Sequence, residues 1–178
     1  MTAILKVDTI QDTSGNNIIN ENANTITIGK SGDTVNLASG ATAGFGKVLQ
    51  VLTATDTTER TTTSSTFVTG SNTMLINITP SSTSSKIFLI STFSGRVQGG
   101  GAMYTIYRDS TNIGATNGIT RVYNAGDLYF NISMSILDAP SSTSQIAYQV
   151  YFNCQNGGTA TVNSGNLKAS LTAFEVGA

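Results

Sequence analysis

The chain has 178 residues, 9 Lys and Arg against 10 Asp and Glu, no His, and a net charge of -1, with 11% of its residues charged where ordinary soluble domains carry roughly 25%. A charge so near zero, with its basic residues scattered, gives no field to steer nucleic acid or an anionic membrane surface. The one cysteine, Cys154, excludes an internal disulfide framework, and the lack of His removes the commonest general base, the usual catalytic triads and most zinc sites.

Thr, Ser, Asn and Gly fill the places that Lys and Glu would usually take, and β-branched residues and turn formers dominate throughout. Ala, Leu, Glu and Lys never cluster over a dozen residues, so hardly any helix is expected. The reading is all-β. No apolar stretch approaches the ~20 residues of a membrane span, so no membrane insertion is expected. Met1 to Ile10, with one Lys and a broken apolar patch, lacks the pattern of a secretion signal.

Residues 1–44 contain no aromatic side chain. Ile4, Leu5 and Val7 form one apolar cluster and Ile18 and Ile19 another. Ile26 and Ile28 are followed nine residues later by Val35 and Leu37, each pair a minimal strand closed by a turn, Gly29 to Gly32 and then Ser39-Gly40. Such thin ridges cannot bury an apolar face alone. Either three copies around a threefold axis share Ile26, Ile28, Val35 and Leu37 as a trimer core, or the segment is an arm that orders only on a partner. At ~3.3 Å per extended residue it reaches at most ~145 Å, which makes it an anchor or short shaft rather than a long one. Ala43-Gly44-Phe45-Gly46 reads as the hinge to a second unit, 45–178.

That unit has the pattern of an antiparallel, jelly-roll-like β-sandwich. Val48, Gln50 and Leu52 alternate with Leu49 and Val51. Met74, Ile76 and Ile78 share a face, and Ile87 to Phe93 and Met103 to Arg108 read as two further strands. Between these last two, Gly99-Gly100-Gly101 reads as a flexible loop tip. Asp109 to Asn112 is a turn. Phe130, Ile132, Met134 and Ile136 alternate with Asn131, Ser133 and Ser135, and Ile146, Tyr148, Val150 and Phe152 with Ala147, Gln149 and Tyr151. Asn156-Gly157-Gly158 reads as a hairpin turn, and the last strand runs from about Leu167 to Val176. That gives roughly eight strands. The motif PSSTS at 80–84 returns at 140–144, each time between apolar-alternating strands, where Pro ends the incoming strand. Two strand-turn-strand units sixty residues apart fit the halves of a double Greek key.

Chemistry is sparse. Cys154 has no partner for a thiol mechanism and reads as a small buried hydrophobe. Asp109, Asp127 and Asp138 sit beside turn-forming residues and read as turn residues rather than a glycosidase pair. No metal site, cofactor or catalytic residue is expected, and the chain reads as no enzyme. Tyr104, Tyr107, Tyr123, Tyr129, Tyr148 and Tyr151 could stack on sugars, but Tyr also fills strand cores.

The segments ILKVDTIQDTSGNNIIN and TITIGKSGDTVNLASGATAGFGKVLQV, then ITPSSTSSKIFLI at 78–90, YRDSTNIG at 107–114, LDAPSSTSQIAYQVYF at 137–152 and LTAFEV at 171–176, resemble short fibre-like proteins of marine bacteriophages, including those of cyanobacteria. Together they span nearly the whole chain. The resemblance implies a virion component, made in the host cytoplasm and assembled as a homotrimer. It implies a short fibre or knob whose residues 1–44 dock on other virion proteins and whose 45–178 contacts the host surface, with surface glycan as a candidate partner. The rival expectation is a capsid decoration or cement protein. No receptor-binding residues come with the motifs.

Overall fold

A computed structural model describes residues 47–70 and 73–177; Ile26, Ile28, Val35 and Leu37, and with them all readings on 1–44, lie outside the described residues. Alternation of β-branched and small polar residues over the described stretch gives ten strands: β1 (Lys47–Asp56), β2 (Arg60–Thr62), β3 (Val68–Thr69), β4 (Leu75–Ile78), β5 (Lys86–Arg108), β6 (Thr111–Asn112), β7 (Thr120–Asp138), β8 (Ile146–Gln155), β9 (Thr159–Val162) and β10 (Ala169–Gly177). All belong to one antiparallel sheet. A single 3-10 turn, Ser164–Asn166, is the helical element among the described residues. The all-β expectation holds. Two separate sheets do not form; one sheet curls over on itself instead.

The 23-residue β5 shows how. Straight, it would span about 75 Å. Yet Arg108 at its C-terminal end reaches Asp138, 2.9 Å away, and Asp138 is the register partner of Ile87 at the start of the same strand. The strand must therefore double back. Its first half lies in the order β1–β10–β5–β7, and its second half in the order β7–β5–β8, with β3 and β4 on the far side of β8.

The corner is made by glycine. Gly99 has φ 66, a left-handed conformation open to a residue without Cβ, and it inverts the pleat. Inward residues are odd-numbered up to Val97 and even-numbered from Ala102. Here the register slips between Gln98 and Gly100 against β7, a β-bulge that increases local twist and bend. On the other edge β8 and then β9 both run antiparallel to β5. Asn156-Gly157-Gly158 is thus no hairpin turn but a bulge in one nearly continuous strand, and Gly99-Gly100-Gly101 lies within β5 rather than at a loop tip. Sequence reads both as chain reversals because Gly-rich runs signal turns and bulges alike.

The inner face holds one core. Leu89, Phe93 and Val97 meet Leu171, Ile76, Tyr148, Phe152 and Ile106 there. Tyr104 joins the two halves: its ring lies 5.2 Å from that of Phe93 and 6.3 Å from that of Phe152, nearly parallel to the latter. Its buried hydroxyl donates to Thr161 O at 2.9 Å, which satisfies the polar end of an otherwise apolar ring.

The PSSTS repeat is structural as well. Ser84 N–H donates to Ser82 Oγ at 3.2 Å, and Ser144 N–H to Ser142 Oγ at 3.0 Å. Each loop follows a strand that ends before Pro, β4 or β7, and carries the chain to a strand that is not its hydrogen-bonded neighbour.

Candidate functional site

The outward side chains of β5 and β7 pair across the strands as Thr92 with Ser133, Ser94 with Asn131 and Arg96 with Tyr129. The first two pairs are small and polar and make a flat hydrogen-bonding floor. The third is different. The Arg96 guanidinium lies 4.8 Å from the centre of the Tyr129 ring and is held flat by Asp127, with Nε donating to Oδ1 at 2.8 Å and Nη2 to Oδ2 at 2.6 Å. The hydrogen bonds from Arg96 hold the Asp127 carboxyl below its ordinary range. An exposed pair of this kind is screened by solvent and contributes little to stability; its larger effect is to fix the orientation of the Tyr129 ring, which is 63% exposed. Arg121 and Tyr123 repeat the arrangement more loosely, at 5.9 Å.

A trough opens beside Tyr129. β9 leaves the edge of β5 at the pair Gly95 and Val162, and β10 begins at the pair Thr92 and Ser170. Seven residues, 163–169, bridge this two-residue gap and must loop outward. They do so through left-handed Asn163 and Asn166, and Ser94 Oγ ties the loop down by donating to Ser164 O at 2.6 Å. The result is a hollow of about 350 Å³ lined by Ser94, Asn131, Ser133, Leu167 and Lys168 among others. It shares Ser94, Asn131 and Leu167 with a second hollow of about 220 Å³ that ends at Tyr129. Leu167 forms an exposed wall.

The six tyrosines separate by environment. Tyr104 and Tyr148 are core residues, and burial pushes both phenols well above their ordinary value. Tyr107 and Tyr151 stack on each other at 3.9 Å on the outer face, with Phe67 against Tyr107. Tyr123 and Tyr129 are open to solvent. Asp109 has the expected turn geometry, φ 51, and accepts from Ala147 N–H at 3.0 Å. Asp138, at the end of β7, accepts from Arg108 Nη1 and from Tyr148 OH. Asp127 is not a turn residue: it lies within β7, next to its bulge, and serves Arg96. Cys154 is buried as expected, and burial raises its thiol. Among the described residues no three His, Cys, Asp or Glu side chains gather as metal ligands would.

Ser94, Asn131, Ser133 and Leu167 carried no signal in a chain so rich in Ser and Asn. Tyr129 was visible in sequence as one of six equivalent aromatics. Only the register that sets it opposite Arg96 distinguishes it.

No family model matches the chain, and no curated protein does. Among solved structures it aligns with chains of infectious bursal disease virus. The T13 viral particle gives 14% identity and a TM-score of 0.32 over 81% of this chain and 41% of that one. The Gx strain gives 14% and 0.32 over 80% and 42%, and a mutant VP2 protein in derived T=1 particles gives 15% and 0.30 over 80% and 40%. The chain spans about two fifths of the length of these structures, and a likeness this loose carries no functional inference.

Proposed function

We propose that the chain is a virion structural protein of a bacteriophage, a short trimeric fibre or knob held to the particle by residues 1–44 and presenting the curled sheet to the host surface. It acts by contact rather than catalysis and needs no cofactor. The observation that carries this reading is the outer face of β5 and β7, where exposed Tyr–Arg pairs and a polar trough stand on long paired strands. Groups placed this way are held in position by the ladder beneath them, as a recognition surface requires. The resemblance of both halves of the sequence to marine phage fibre proteins supports the virion location.

Association with a further copy of the chain has support from a second feature. Among the described residues β7 pairs with β5 alone, which leaves one edge of a 19-residue strand open. Proteins usually blunt such an edge with Pro, Lys or a short strand. β7 has no Pro and no Lys, and its Arg96-paired Asp127 and Arg108-paired Asp138 have their charge engaged within the chain. An edge left this way suits a neighbouring copy.

Deleting residues 1–44 should leave a protein with an unchanged β-type circular dichroism spectrum that no longer enters particles when it replaces the full chain during infection. Normal incorporation of the truncated protein would show that the anchor lies elsewhere.

A further inference from the structure

We propose that the trough beside Tyr129 is a saccharide subsite that takes a pyranose ring; the proposal deepens the host-contact reading above and rests on it. A pyranose has a flat face of C–H groups and a rim of hydroxyls that both donate and accept. A protein that binds it needs an aromatic face for the first, and for the second short polar groups that can also do both. The trough offers this combination. Tyr129 supplies the ring at one end, set in place by Arg96 at 4.8 Å. Asn131 and Ser133 supply an amide and a hydroxyl on the floor. Neither side chain has a hydrogen-bond partner among the described residues, unlike Ser94, whose hydroxyl is committed to Ser164 O. Lys168 adds a donor at the lip and Leu167 an apolar wall. The larger hollow, about 350 Å³, falls at the low end of the roughly 300–1,000 Å³ usual for small-ligand sites.

Other ligand classes fit less well. A phosphate or nucleotide would need free cations, and Arg96 is spent on Asp127, so that Lys168 alone remains in the trough. A peptide would need apolar pockets for alternate side chains, and the floor is made of Ser, Thr and Asn. One open subsite gives weak binding, which three copies on one particle would raise through avidity.

The test uses the full chain, fluorescently labelled, on an array of neutral and acidic oligosaccharides from bacterial surface polysaccharides. Tyr129→Ala and Asn131→Ala should each lower binding about tenfold or more, and Ser133→Leu, which fills the trough from its floor, should do the same. Val51→Ala, at an exposed position of β1 that lines neither hollow, should leave binding within twofold. All four side chains are solvent-facing, and unchanged thermal melts would verify that the variants fold. Binding that survives Tyr129→Ala, Asn131→Ala and Ser133→Leu overturns the trough as the site while leaving host contact by another surface intact. No array binding by the wild-type chain overturns the saccharide assignment, whereas the virion reading stands or falls on incorporation into particles.

Discussion

Gly158→Ala should destabilise the protein by about 3 kcal/mol or more, with a matching fall in the urea midpoint. At this corner two backbones approach face to face. A Cβ on Gly158 would overlap the Gln98 carbonyl oxygen and stand 2.8 Å from Gly100 N, and a Cβ on Gly100 would overlap the Gln155 carbonyl oxygen and stand 3.1 Å from Gly158 N. Side chains can turn away from an added methyl, but these atoms belong to the strand ladder, so relief requires the strands to separate at the bend. Overpacking of this kind costs about 1–3 kcal/mol even where neighbours can adjust. The neighbouring residue supplies the control. Gly157 has φ 76 and open space where its Cβ would be, so Gly157→Ala carries only the left-handed backbone penalty, about 1 kcal/mol. A Gly158→Ala loss no larger than that of Gly157→Ala would mean that the corner is not held by close backbone approach.

Glu175→Gln should cost on the order of 2–3 kcal/mol at neutral pH and should flatten the acid limb of the stability curve. Glu175 is buried on the inner face of β10. Burial raises its carboxyl, but the hydrogen bonds outweigh this and hold it at about 2. Oε1 accepts from Ser81 N–H at 2.7 Å and from Ser81 Oγ at 2.6 Å, and Oε2 accepts from Gln50 Nε2 at 2.6 Å. Gln50 Nε2 also donates to Thr79 O at 2.9 Å. One carboxylate therefore joins β1, β10 and the first PSSTS loop. An amide in its place would turn an NH₂ group toward one of these donors.

The sign follows from the direction of the shift. A carboxyl lowered from 4.5 to about 2 binds its proton more readily in the unfolded chain. Its stabilisation is complete above pH 4.5 and is lost as pH falls toward 2. Asp127 is also held low by Arg96 and loses stability in acid too, so the informative quantity is the difference between wild type and Glu175→Gln. That difference should be largest near neutrality and shrink between pH 4.5 and 2. A difference independent of pH over this range would mean that the Glu175 carboxylate is not what the loop is holding.

Glu175 also shows what the sequence could reveal. In LTAFEV, Leu171, Ala173 and Glu175 share a face, so a carboxylate falls at an inward position. A charge breaking an otherwise apolar face is a legible sign of a buried, hydrogen-bonded group, but the sequence does not indicate that its partners are Ser81 and Gln50, 94 and 125 residues away. Strands such as 130–136 and 146–152 were readable because period-2 alternation directly reflects one buried and one exposed face. The length of β5 was not readable. Its alternation changes phase at Gly99, and a phase change across three glycines looks like the end of one strand and the start of another. The trough was hidden for a different reason: it depends on where β9 ends and β10 begins along β5, which is a matter of register between distant segments rather than of local pattern.

Quantitative mass spectrometry of virus particles purified from cells that produce this chain tests the central claim most directly. A structural fibre or knob should be present in a small whole multiple of three copies per particle and should resist salt washing. Hundreds of copies would point instead to a decoration protein on the capsid, and absence from washed particles would contradict the virion assignment altogether.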